Sequence, residues 1–461
     1  MPAEFQKPPV HRRPANRSWL PWTAVIAWTV LITAGCATHT DRLIPVRNSF
    51  YMGDLEKAEQ LLEEHLERGR GETNVLLLEK ASVQLAAGRP AEAERHLRHV
   101  RDEFDHLEQK SLAESTVSLF SDDRRLSYAG EDYEKVLIRA YLALANLMQD
   151  GGDAEAYCLQ MVDKQAQIVA AAAEPDGTNP KAEYQQVALA PYLRATLREE
   201  THRDFDDVAR YREMVVSWQP DFAPGAGDLH RSKTGRHSAP GNGVVYVFAL
   251  LGRGPLKDEV EELPSTAALM IANAALNITG QKTLPPIVAP IKVPQMFAMP
   301  NQISQLAVHI NGQPVGQTAT ITDVTRMAID QCAANRNHVV ARALVRRAVK
   351  ESTILAAKRL TGSREGSLEA VAFELAGLVW QFTESADTRC WGLLPDTIQV
   401  LRIELPAGEH QIDFQPLDRN HRVMGLSASR TITVNDGRNA YVLVNYPGSE
   451  PVGQILASTD P

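Results

Sequence analysis

The residues of this sequence best equipped for chemistry are its cysteines. Cys36 follows Ala34 and Gly35 directly, at the end of an uncharged, mostly apolar run from Trp19 to Ala34. A thiol after small residues at the end of a short apolar segment stands where an export leader is cut. Cys158, Cys332 and Cys390 are scattered, with no Cys-x-x-Cys and no zinc-ligand spacing. Cys332 and Cys390 fall within one expected domain and can form a disulfide; three separate buried thiols is the alternative. His96 and His99 stand three apart on an expected helix, but no third ligand accompanies them. Asp387, Arg389, Trp391 and Pro395 crowd into "ADTRCWGLLPD", where Asp387 can pair with Arg389 and Trp391 can cover them. Gly252 and Gly254 bracket Arg253, yet no Gly-Lys-[Ser/Thr] follows, so this is no phosphate loop. No nucleophile elbow, His-Glu-x-x-His or Cys/His signature occurs. No catalytic residue, cofactor or metal is therefore expected.

The leader reads as residues 1–35: Lys7, Arg12, Arg13 and Arg17, then the apolar core, then the small residues. That core is shorter than the roughly 20 residues a membrane-spanning helix needs. The Ala-Gly-Cys junction resembles the lipobox of bacterial lipoproteins. The resemblance implies that the Cys36 thiol receives a diacylglyceryl group and becomes the mature N-terminus. Thr33 stands where the family's pattern has Leu, and Ala37 is not the Asp that retains such proteins at the inner membrane. The expectation is a lipid-anchored envelope protein, at the outer membrane and facing the periplasm, with residues 36–47 as its tether.

Composition narrows the partners. Of 48 basic and 57 acidic residues, four and one lie in the leader, which leaves 44 against 56, a formal −12. An acidic body excludes nucleic acid, which calls for a basic footprint. A hydrophobic content of 44% suffices for packed cores.

The elements that must position these residues begin with a repeat. "GDLEKAEQLL" starts at Gly53 and "GRPAEAERHL" at Gly88, an offset of 35 residues, with Ala58 matching Ala93 and Leu62 matching Leu97. Glycine lets the chain reverse, the small residue lets two helices approach, and the leucines form an apolar stripe. The pattern resembles the tetratricopeptide repeat, a helix-turn-helix unit of about 34 residues. A third unit carries Gly151 and Ala156, and a fourth has Arg203 in place of the turn glycine. Residues 48–219 are thus expected to form a helix-pair solenoid, whose groove holds an extended partner or the protein's own C-terminal half.

Residues 220–243, rich in Gly, Pro, Ser and charge, read as a linker with a small basic patch at Arg231, Lys233, Arg236 and His237. Residues 244–461 read as a mixed domain. "VVYVFALLG" is a buried strand. The prolines of 284–300 make an extended segment. A hairpin is expected at 305–321, and a helix capped by Asp323 follows. Another helix runs from His338 to Leu360, with a Val340/Leu344 stripe and a basic face, and an apolar helix is expected over "LEAVAFELAGLVWQF". Strands at 397–405, 409–415, 428–434 and 440–446 complete a small antiparallel, sandwich-like sheet. The class is α+β.

Three stretches together, "YAGEDYEKVLIRAYLALANL", "GNGVVYVFALLGRGPLKDE" and "ADTRCWGLLPDTIQVLRIELPAG", resemble a family of uncharacterised bacterial lipoproteins with tetratricopeptide-like repeats. Its motifs are Y-x-G-x-x-Y-E and D-x-R-x-W-x-x-L-P. The resemblance implies address and architecture and adds no chemistry. The favoured expectation is a membrane-anchored scaffold that recruits another envelope protein. The alternative is a peptidoglycan- or polysaccharide-binding module acting through the C-terminal sheet and Trp391. An enzyme ranks last.

Overall fold

Apolar stripes on helices and one strand buried on both faces dictate a layered α+β architecture. The structure, a computed structural model, describes residues 38–69, 71–113, 127–173, 177–278, 290–360 and 386–458. The expected leader, Cys36 and the helix expected at 368–382 lie outside these residues. From Thr38 onward the chain forms one compact unit. Among the described residues no helix is long and apolar enough to cross a membrane.

The helical part runs α1 (His39–Arg42), α2 (Ile44–Tyr51), α3 (Leu55–Glu67), α4 (Thr73–Ala86), α5 (Pro90–Ala113), α6 (Asp132–Leu147), α7 (Ala154–Ala170), α8 (Leu189–Glu200), α9 (Phe205–Trp218) and α10 (Gly225–Ser232). Each helix from α2 to α10 packs on the next. The turns explain the glycines. Gly53 and Gly88 sit at φ +79° and +80°. The amides that follow, of Asp54 and Arg89, donate back to Ser49 O and Gln84 O at 2.9 Å. This left-handed cap satisfies the last carbonyls of a helix and suits glycine, which has no Cβ to strain. Ala58 and Ala93 are fully buried. Ala156 is not their equivalent: it faces solvent. Gly152 adds a residue to its turn, which shifts the helical phase and buries Ala154, Tyr157 and Cys158 instead. Where Arg203 replaces the glycine, its neighbours His202 and Asp204 take the positive φ, at 57° and 54°.

The second half runs β1 (Asn242–Leu251), β2 (Leu256–Glu262), α11 (Thr266–Ile278), β3 (Ile291–Phe297), β4 (Gln305–Ile310), β5 (Gln313–Gln317), β6 (Ala319–Asp323), α12 (Val324–Ala334), α13 (Arg336–Leu360), β7 (Thr397–Pro406), β8 (Gly408–Leu417), β9 (Ala428–Val434), β10 (Asn439–Tyr446) and β11 (Leu456–Ala457). The central sheet has the order β11-β10-β1-β7-β6, and β1 pairs parallel with β10 and antiparallel with β7. Val244, Tyr246 and Phe248 of β1 enter the core shared with the helices. Val245, Val247 and Ala249 face a second sheet, β5-β4-β8-β9. Burial on both faces explains the continuous apolar run. A small layer of β2, β3, α11 and α13 closes around Ala272, Val293 and Leu344.

Two boundaries differ from expectation. Residues 220–243 are not a bare linker: they carry α10, Arg231 pairs with Glu199 at 2.8 Å, and His237 is buried against Asn439. Nor is the chain a tether from Thr38 onward: His39, Thr40, Leu43, Val46 and Arg47 are buried. Both stretches look polar locally because their partners lie far away in sequence.

Candidate functional site

Residues 386–396 form a strap between the helical layer and the central sheet, and all three stretches singled out in the sequence meet on it. The first supplies Glu134, at the start of α6. It is fully buried and accepts from Trp391 N at 2.7 Å, Tyr128 OH at 2.5 Å, Tyr133 OH at 3.2 Å and Glu131 N at 3.0 Å. The second supplies Lys257 on β2, which pairs with Glu131 and donates to Arg389 O at 3.3 Å. Gly254 N donates to Leu394 O at 2.9 Å; a Cβ there would stand 2.5 Å from that oxygen, which is why the residue is glycine. The third stretch is the strap itself.

Within it, Arg389 grips Asp387 through two hydrogen bonds, of 2.9 and 2.7 Å, and donates to Gly71 O at 3.0 Å. The expected pair therefore forms. Its guanidinium lies over the ring of Tyr128, not under Trp391. Trp391 is fully buried, 4.8 Å from the ring of Tyr141, with Nε1 donating to Ser82 Oγ at 2.9 Å. A side chain so enclosed offers no platform to a sugar. Pro395 lines a cavity of about 20 Å³ beneath Tyr51 and Tyr141.

Sequence reading missed the residue that holds the strap most directly. Glu79 of α4 accepts from Gly392 N at 2.8 Å and Leu393 N at 2.9 Å, with the Arg47 guanidinium 3.8 Å away. The available signal was a carboxylate inside the apolar run "VLLLEKASVQLA", since an acid is almost never fully buried unless it is paired. Thr388 is held in turn by His39 N, at 3.1 Å, and by Thr40 Oγ1, which also donates to Lys257 O at 2.5 Å.

Electrostatics fit a clasp. Burial pushes Glu134 up to about 7, and the nearby Glu131 charge adds to this. Burial also raises Glu79, against the pull of Arg47 and the two strap amides. Lys257 would be lowered by burial, but Glu131 and Asp387 hold it above its ordinary value. Burial pushes the Cys158 and Cys390 thiols up to about 12, so neither is poised as a nucleophile. Cys332 and Cys390 are both free thiols, so no disulfide joins them.

Beside the strap lies an open cleft of about 390 Å³, walled by the start of α6, β3, α13 and the Asp387–Arg389 pair. A second groove of about 770 Å³ runs along α5, α6 and α7. In it Lys164 meets Asp105 at 2.6 Å and Glu108 at 2.8 Å. Among the described residues no cluster of His, Cys, Asp and Glu could hold a metal. No family model matches the chain, and neither a curated protein nor a solved structure is detectably similar to it.

Proposed function

We propose that this chain is a lipid-anchored, non-catalytic scaffold of the cell envelope, moored through Cys36 and facing the periplasm from the outer membrane. Its helix pairs are tetratricopeptide-like repeats, and they serve two ends. On the inner side they hold the chain's own strap, much as such a groove holds an extended peptide. On the outer side, the groove along α5, α6 and α7 recruits a second envelope protein. The observation that carries this reading is the grip on the strap. Glu79 and Glu134 accept the backbone N–H groups of Trp391, Gly392 and Leu393 in the strap. Main-chain hydrogen bonds are one of the means by which a peptide segment is recognised. The carboxylates that might have served as acid and base are engaged in that grip. Buried Trp391 gives no support to the wall-polysaccharide alternative.

Affinity capture from cross-linked envelopes tests the reading. A defined partner is expected with the native chain and lost when Arg101 and Lys164, which line the outer groove, become Glu. Recovery of no partner removes the proposal. Cys36→Ala is expected to shift the chain out of the outer-membrane fraction while its circular dichroism stays native.

A further inference from the structure

The fourth helix pair turns differently from the first three. Gly53, Gly88 and Gly151 take positive φ in the earlier turns, at 79°, 80° and 71°. In the α8–α9 turn that conformation falls on His202 and Asp204, at 57° and 54°, where a β-carbon makes it costly. Such strain persists where surrounding contacts hold it. Here the contact is the His202 ring. Its Nε2 lies 2.8 Å from Gly437 O in the β9–β10 turn, and a Cβ on Gly437 would stand 3.2 Å from that nitrogen. The ring also meets His237 edge-on, with centroids 5.0 Å apart.

His237 is 2% exposed. The Asn439 amide nitrogen donates to Thr196 O at 3.0 Å, which turns Oδ1 toward His237, so the ring donates through Nε2 at 2.8 Å. Nδ1 lies 3.0 Å from Ser238 Oγ, whose hydroxyl also reaches Asn242 O at 2.9 Å. The neutral ring accepts that hydroxyl proton at Nδ1. The charged ring donates there instead, and the hydroxyl swings to Asn242 O. Protonation therefore keeps the hydrogen bonds but sets a charge in a buried site beside a second imidazole.

The charged groups around the pair do not answer that charge. Glu199 and Glu200 face it from α8, Arg402 and Glu404 from β7, and Asp436 and Arg438 from the β9–β10 turn; Arg203 and Asp204 flank His202 in its own turn. The neighbouring carboxylates are already engaged: Glu199 by Arg212 and Arg231, Glu200 by Arg438 and Asn439 N, Glu404 by Ala239 N and Asn242, Asp436 by Gly241 N. Burial holds the His237 imidazole below its ordinary 6.5, and His202 and Arg402 act in the same direction, against Asn439 and Glu199. The folded state thus binds this proton less tightly than the unfolded chain, and its stability falls as pH drops through 6.5. Little apolar packing backs the joint. The cluster that seats the start of α9 on α8 has three buried members, Ala195, Val208 and Tyr211, and segments with few such contacts open locally.

We propose that His202 and His237 form an acid-released joint: charging both rings frees the α8–α9 turn and the start of α9 from the central sheet. Hydrogen exchange of the full chain tests this between about pH 7.5 and 5.5, the range in which histidine changes charge. The amides of Gly437, bonded to Asn242 O at 2.9 Å, and of Asn439, bonded to Glu200 at 3.0 Å, report on the joint. After correction for intrinsic exchange, acidification is expected to cut their protection roughly tenfold, the effect of about one proton over one pH unit. Asp54 N, in the α2–α3 turn, is expected to keep its protection. Glu134 takes up its proton over the same range with the opposite sign, since its folded value lies above the ordinary one.

His237→Gln keeps a donor toward Asn439, and His202→Asn suits the left-handed turn. The double variant is expected to hold its protection at both pH values. Native protection that survives acidification overturns the proposal, as does an equal loss at Asp54 N or an undiminished acid response in the double variant. Should the double variant fail to fold, His202→Asn alone decides, because it removes one charge of the pair. A smaller acid response is then expected, and one of native size overturns the proposal.

Discussion

The two faces of β1 are packed by different means. On one face Val245, Val247 and Ala249 meet Leu306, Val308, Ile412 and Phe414 of the second sheet, an interface of apolar side chains. On the other, Tyr246 lies among charges: its hydroxyl donates to Glu199 at 2.9 Å, and Arg212 and Arg231 reach the same carboxylate at 3.2 and 2.8 Å. Glu79, Glu134 and Lys257 extend this polar character along the strap. An apolar interface tolerates many sequences of similar volume. A buried ionic one accepts a single arrangement, because each unpaired member is costly. The helix-facing side therefore specifies where the strap lies, and the sandwich side supplies stability with less selectivity.

The sharpest break in this contrast is Glu79→Ala. It orphans two strap amides and leaves the Arg47 guanidinium, whose side chain is 5% exposed, without its carboxylate. A loss of about 3–5 kcal/mol is expected in denaturant unfolding, as when one partner of a buried pair is removed. A loss below that of an ordinary cavity mutation would erase the distinction.

Glu134 gives the comparison a pH dependence that the apolar face lacks. Its folded value of about 7 lies above the ordinary 4.5, so the folded state binds the proton more tightly. That contribution is full below 4.5 and is lost as pH rises through about 7, about 3 kcal/mol in all. Unfolding at pH 5 and pH 8 reads it directly, and Glu134→Gln should flatten the slope. An unchanged slope would place the titration elsewhere.

Near-isosteric exchanges are gentler. At neutral pH, Glu134→Gln is expected to cost about 1–3 kcal/mol, because an amide NH2 then points at a donor. Leu306→Met on the sandwich face should cost less than about 1.5 kcal/mol. Reversal of that order in paired melts would overturn the contrast. The smallest effect belongs to Gly53→Ala. Its φ of +79° strains an L residue, but no atom lies within 4 Å of the new Cβ, so about 1 kcal/mol is expected. Gly88→Ala should cost about the same, since the new Cβ would meet only the end of the exposed Gln454 side chain, which can swing away.

Much of the fold was legible. The strands expected from 397 onward sit within a residue or two of β7 to β10, because alternation and Asp-Gly turns are local signals. The hairpin of β4 and β5 formed, and Asp323 caps α12 by accepting from Arg326 N at 2.9 Å. Of the candidate site, the Asp387–Arg389 pair was visible because the two residues are neighbours. Glu79, Arg47 and Lys257 were not, since each meets the strap across more than 100 residues of sequence.

What the sequence determined by itself was whatever depends on short-range geometry: turn glycines with positive φ, helical stripes, strand alternation, and the residue types around Cys36. Tertiary structure alone decided that the strap fills the inner face of the helices, that Trp391 is core, that Ala156 is surface, and that Thr38 to Arg47 are fixed in the body. Hydrogen bonds between adjacent residues follow from chain geometry. The burial of a charge depends on which distant partner neutralises it, and no local pattern encodes that choice.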